Sequence, residues 1–170
     1  KLFKEKKFHD AFISNNKALK LSNLEFGKKH LTTATLLENK GRLLLELKEF
    51  YKAELVLRDV YEVREKIIKV NHPDIADALN YLALSLRFQS KLDEAILIHN
   101  KTLTIMGNVI ANNPGQITEL ARLSALYRAR AYETKGLQLL DQNKIDEARG
   151  NFRIAIKIFD RTLGKNKKEL

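Results

Sequence analysis

Ile75-Ala76-Asp77-Ala78-Leu79-Asn80-Tyr81-Leu82-Ala83, followed after a short gap by Lys91-Leu92-Asp93-Glu94-Ala95, is the stretch on which the fold turns. Small and apolar residues recur in it at intervals of three and four, the spacing of one helix face. Ala95 has counterparts at Ala11, Ala53 and Ala148, at intervals of 42, 42 and 53 residues. Three residues before each stands an apolar side chain: Phe8, Phe50, Leu92 and Ile145. Twelve residues before three of them stands a small residue: Gly41, Ala83 and Gly136. A small residue on one helix facing an alanine on the next is what two closely crossing helices need. His30 and His72 repeat at the same 42-residue interval.

The period divides the chain into units of about 1–30 (partial), 31–72, 73–114 and 115–167, each a helix A, a short turn, a helix B and a linker. Helices are expected at about 32–47, 50–69, 74–89, 92–111, 115–141 and 144–162, with a helix B at about 7–26 preceded only by a stub of helix A. Pro73 and Pro114 suit first helical turns. Ser90 with Asp93, and Asn143 with Asp146, have the spacing of a capping interaction. The expected fold is all-α: an α-solenoid of stacked antiparallel hairpins, about three and a half repeats in a single domain over 1–170. The last interval exceeds the period by 11 residues. Eleven residues are three helical turns, so the insertion should lengthen the fourth helix A at its N-terminal end along the stripe Ile117, Leu120, Ser124, Tyr127 and Ala131.

The third unit resembles a tetratricopeptide repeat. The period and the linker Arg64-Glu65-Lys66-Ile67-Ile68-Lys69-Val70-Asn71-His72-Pro73 resemble the kinesin-light-chain type, whose repeats join through Arg-Glu-Lys, Leu-Gly and His-Pro elements. The resemblance implies a solenoid whose A helices line a concave face. It also implies an Asn pair on helix A that can bind peptide backbone. Here only Asn80 and Asn39 remain of such pairs; Tyr81 and Glu38 replace their partners, the fourth unit has Glu133-Thr134, and Lys40 and Lys135 stand where leucine is usual.

Composition narrows the function. Cysteine is absent, which excludes disulfides and thiolate zinc sites. No apolar run approaches the roughly 18 residues of a membrane span, and the first residues do not read as a signal peptide. The net charge of +10 sits at the ends: residues 1–30 and 148–170 carry +5 each, and the middle sums to zero. A nucleic-acid groove needs a continuous basic track, so nucleic-acid binding through these ends is disfavoured. His30 and His72 lie one repeat apart, too far to share an ion at about 2 Å per bond, and read as linker turns. His9 and His99 fall on B helices as packing or surface residues. There is no phosphate loop, nucleophile elbow or ligand cluster, so neither catalysis nor a cofactor nor a metal is expected. Arg149, Arg153, Lys157 and Arg161 form an i, i+4 ladder that is either a solvated face or an anion-binding one.

The expected function is a protein-interaction scaffold, cytoplasmic, holding a partner peptide or protein on the concave face formed by the A helices. The alternative is a regulatory or sensor segment of a larger multidomain enzyme or signalling protein, since the ends suggest a fragment of a longer repeat protein. Self-association through the terminal repeats is a further expectation. The candidate partner-binding residues are Asp77, Asn80, Tyr81, Leu84, Arg87 and Phe88 in the third unit, Glu38, Asn39 and Arg42 in the second, and Glu133 and Leu137 in the fourth. In the third unit Asn80 and Arg87, two turns apart on one face, are expected to be exposed and to contribute most.

Overall fold

A computed structural model describes residues 2–68, 71–113, 115 and 117–163. Seven helices follow in order: α1 (Leu2–Glu25), α2 (Leu31–Glu46), α3 (Phe50–Ile67), α4 (Pro73–Phe88), α5 (Leu92–Asn112), α6 (Ile117–Asp141) and α7 (Ile145–Leu163). No strand occurs among the described residues. Each helix packs on the next in the chain, and α2 also touches α4. Neighbour-on-neighbour packing makes an all-α solenoid, with A helices α2, α4 and α6 and B helices α1, α3, α5 and α7.

The repeat positions explain the close crossings. Ala53, Ala95 and Ala148 are fully buried, whereas Ala11, in the same register of α1, is exposed. A Cβ on Gly41 would stand 2.7 Å from Leu57 side-chain carbons, and one on Gly136 would stand 2.7 Å from the Phe152 ring. Around these crossings Leu44, Leu57, Leu79, Leu82, Leu86 and Met106 fill the core.

The two recurring histidines cap helices. His30 Nδ1 accepts from the Thr32 amide, and His72 Nδ1 from the Asp74 amide, each at 3.2 Å. Both residues are extended, the usual backbone of an N-cap, and Pro73 follows His72 in the first turn. Pro114 lies outside the described residues.

The turns inside the hairpins differ from expectation. Ser90 and Asn143 are not N-caps. They and Lys48 occupy the left-handed region at φ of about +60°. In each turn two amides close the preceding helix: Lys48 N and Glu49 N bond to Leu45 O and Leu44 O, Ser90 N and Lys91 N to Arg87 O and Leu86 O, and Asn143 N and Lys144 N to Leu140 O and Leu139 O. This is a Schellman closure. In so short a turn the residue that satisfies the C-terminal carbonyls cannot also cap the next helix, so the N-cap of α5 falls to Lys91, with no side-chain bond.

The ends also refine the expectation. With no glycine or proline between Leu2 and Glu25, α1 is one unbroken helix, and among the described residues no stub of helix A is set off from it. The 11-residue insertion is helical: α6 has 25 residues against 16 in α2 and in α4. Leu120, Ser124 and Tyr127 are buried along it.

Candidate functional site

A groove of about 950 Å³ opens where α1, α2 and α4 face one another. Helix periodicity aims Asn39, Arg42 and Glu46 of α2, and Tyr81, Leu84, Arg87 and Phe88 of α4, at the same space. Phe8, Ala11 and Asn15 close it from α1, Lys48 and Phe50 from the α2–α3 turn, and Arg130 from α6. Phe50 stacks on Phe88 with ring centroids 4.8 Å apart. The Arg42 guanidinium lies 5.0 Å from the centre of the Tyr81 ring and so joins α2 to α4. Burial pushes the Tyr81 hydroxyl above its ordinary pKa, so it remains a neutral donor. The lining carries Arg42, Lys48, Arg87 and Arg130 against the single acid Glu46.

Six of the eleven residues singled out from sequence line this groove: Asn39, Arg42, Tyr81, Leu84, Arg87 and Phe88. The structure brings the others elsewhere. Asn80 is buried, not exposed, and its Oδ1 accepts from Arg130 Nη1 at 2.8 Å. Arg87 is not free either: its side chain is 12% exposed, and its Nη1 pairs with Glu133 Oε1 at 2.6 Å. Tyr127 donates to Asp77. Successive turns of α6 thus meet successive turns of α4, and the wall between the last two A helices is laced shut. The physical reason is reach: in adjacent A helices long polar side chains on facing stripes find each other before they find a ligand. Leu137 is half-buried and does not line the groove.

Glu38 is likewise buried, in an ion pair with Arg64 of the linker motif, and Arg64 also donates to Asp74 O at 2.8 Å. Burial raises the Glu38 pKa, against the lowering influence of Arg64. Glu38, Asn80 and Glu133 share one repeat register, and each receives an arginine. That register holds the solenoid together.

His99 resolves to a fully buried residue. It occupies the register of Leu57 and Phe152, and its Nε2 lies 3.3 Å from Thr134 Oγ1. Burial, with Arg130 and Arg87 nearby, pushes its pKa down to about 4. His99 Nδ1 and Arg87 Nε are buried with no hydrogen-bond partner among the described residues. Phe8 and Phe50 also line the groove, although in sequence their recurrence before the repeat alanines reads as packing. Lys48 lines it too, and a turn lysine carries no periodic signal in the sequence. Among the described residues no group of acids and histidines is placed to hold a metal, and no helix is long and apolar enough to cross a membrane.

Residues 33–74 match the tetratricopeptide repeat family, a span that runs from α2 through α3 into the start of α4. No curated protein matches the chain. Among solved structures the chain is similar to BtubC (BKLC) from P. vanneervenii, with a TM-score of 0.65 at 19% identity, over 96% of this chain and 58% of that one. It is also similar to the nearly identical TPR-like repeats of a Podosopora anserina protein described as a kinesin light chain. There the TM-score is 0.55 at 13% identity, over 94% of this chain and 90% of that one, and a point variant of that protein gives the same values. At these identities the likeness is one of fold: a tetratricopeptide-like solenoid with kinesin-light-chain-like relatives in structure, as the period and linker suggested. The chain spans little more than half of BtubC.

Proposed function

We propose that this chain is a protein-interaction scaffold that holds an extended, acidic peptide segment in the groove between α1, α2 and α4. The observation that carries the reading is the lining. Arg42, Lys48 and Arg130 face the groove with only Glu46 opposing them, beside the apolar surfaces of Leu84, Phe50 and Phe88. Asn39, half-buried at the edge, can donate to and accept from a peptide backbone. Amides for the main chain, guanidinium for carboxylates and aromatic rings for side chains are what extended-peptide recognition uses. A cytoplasmic site of action is part of this reading, and the cysteine-free chain suits a reducing compartment.

The test is a screen of acidic peptides by fluorescence anisotropy against the wild-type chain and Arg42→Ala. Arg42 is exposed, so its removal leaves the core intact. Loss of about tenfold in affinity is expected, the scale of a guanidinium–carboxylate contact. Unchanged affinity in Arg42→Ala, with binding otherwise intact, would move the site off this groove.

A further inference from the structure

A second groove, on the other side of α6, is lined by cations, amides and apolar side chains and by no acid. It has a volume of about 510 Å³ between α5, α6 and α7, with Ile96 and Leu103 of α5 and Ala131 and Tyr132 of α6 as apolar surface. Arg128 and Lys135 flank that surface, and the amides of Asn100 and Asn151 stand at its edge. On α6 the order is cation, apolar, aromatic, cation at positions 128, 131, 132 and 135, one stripe of a helix. Arg130 lies about 200° around α6 from Arg128 at 100° per residue, so this stripe faces away from the concave groove. Arg128 has no ion pair among the described residues, and Lys135 donates only to Gln138 Oε1, at 2.6 Å. A third cleft, beside α1 and α3, sets Asp59 and Glu62 against Lys28, Lys29 and Lys66, and so selects for neither charge.

We propose that this face is a second docking surface, for an amphipathic acidic helix of a partner protein. The stripe dictates the complement. Seven residues of helix rise about 10.5 Å, so a partner helix lying along α6 would meet Arg128 and Lys135 with acids seven apart. Apolar residues three and four places after the first acid would then cover Ala131, Tyr132, Ile96 and Leu103, in the helix-in-groove manner. The two cations gain more from carboxylates here than on an open surface, because the apolar floor displaces water between them.

The experiment uses a fluorescein-labelled helical peptide of roughly 16 residues, long enough to form a helix on binding, built from two copies of Glu-Ala-Ala-Leu-Leu-Ala-Ala-Glu. A permuted peptide of identical composition, with the leucines moved to the opposite face from the acids, is the control. Anisotropy titration of the whole chain is expected to show the designed peptide binding about tenfold more tightly than the permuted one. The double variant Arg128→Glu/Lys135→Glu should lose about tenfold, while Arg42→Glu in the concave groove should not. Both substituted positions are exposed, so circular dichroism of the variant should match wild type. Equal affinity for both peptides, indifference to the α6 double variant, loss in Arg42→Glu alone, or no binding would each overturn the proposal.

Discussion

Arg130 Nη1 donates to Asn80 Oδ1 at 2.8 Å across 50 residues of sequence, and the bond pins α6 to α4. Asn80 is 1% exposed, and burial pushes the Arg130 pKa down without removing its charge at neutral pH. Removing the amide would leave a half-buried guanidinium without this acceptor. Asn80→Ala should therefore destabilise the fold by about 2–3 kcal/mol. Asn80→Ala/Arg87→Ala should cost more, since Arg87 holds Glu133 in the same wall. Urea denaturation checks this: a midpoint equal to wild type would mean that the lacing contributes nothing.

Gly41 and Leu57 set a second test. Alanine at 41 gains about 1 kcal/mol of helix propensity but must push Leu57 aside, which costs about 1–3 kcal/mol in a packed core. Gly41→Ala should be net destabilising by about 1 kcal/mol. The third unit has alanine at this register, Ala83, and the flatter His99 where the others have Leu57 and Phe152. His99→Leu should consequently be tolerated better with Ala83→Gly than without it. A double-mutant cycle should show a coupling of at least about 0.5 kcal/mol, and strict additivity would refute the pairing.

His99 makes stability depend on pH. Its folded pKa of about 4 lies below the ordinary 6.5, so between those values the unfolded chain binds the extra proton. The contribution is complete above about pH 6.5 and is lost as pH falls towards 4, by about 3 kcal/mol at most. His99→Gln, which keeps a polar group near Thr134, should flatten thermal stability over that window. An unchanged slope would assign the pH dependence elsewhere.

Lys48 sits at φ 62° and Ser90 at φ 60°, where a Cβ is penalised. Lys48→Gly and Ser90→Gly should each raise stability by about 0.5–1 kcal/mol, and Asn143→Gly by less, because asparagine tolerates this region better. Thermal melting that ranks Asn143→Gly first would contradict the turn geometry.

Much of the architecture was legible in the residues. The alanine register, the small residues twelve places earlier and the recurring histidines placed six helices to within a few residues, because helix periodicity and close crossings are local requirements. The turns were misread for a local reason too: Ser90-x-x-Asp93 looks like a cap, but a short turn serves the helix that ends before the one that begins. For the candidate site, the faces of α2 and α4 that the helical period picks out carry Arg42, Tyr81, Leu84 and Phe88, which line one groove.

The sequence by itself determined which face of each helix turns inward and that the units stack, since both follow from the spacing of small and apolar side chains. Only the tertiary structure decided which polar residues on those faces remain free. Asp77, Asn80 and Arg87 look the same in sequence as Arg42, yet they find Tyr127, Arg130 and Glu133 at separations of 46 to 50 residues. Whether two such side chains meet depends on the relative placement of adjacent A helices, and the helical period specifies direction around an axis but not the distance to the next one.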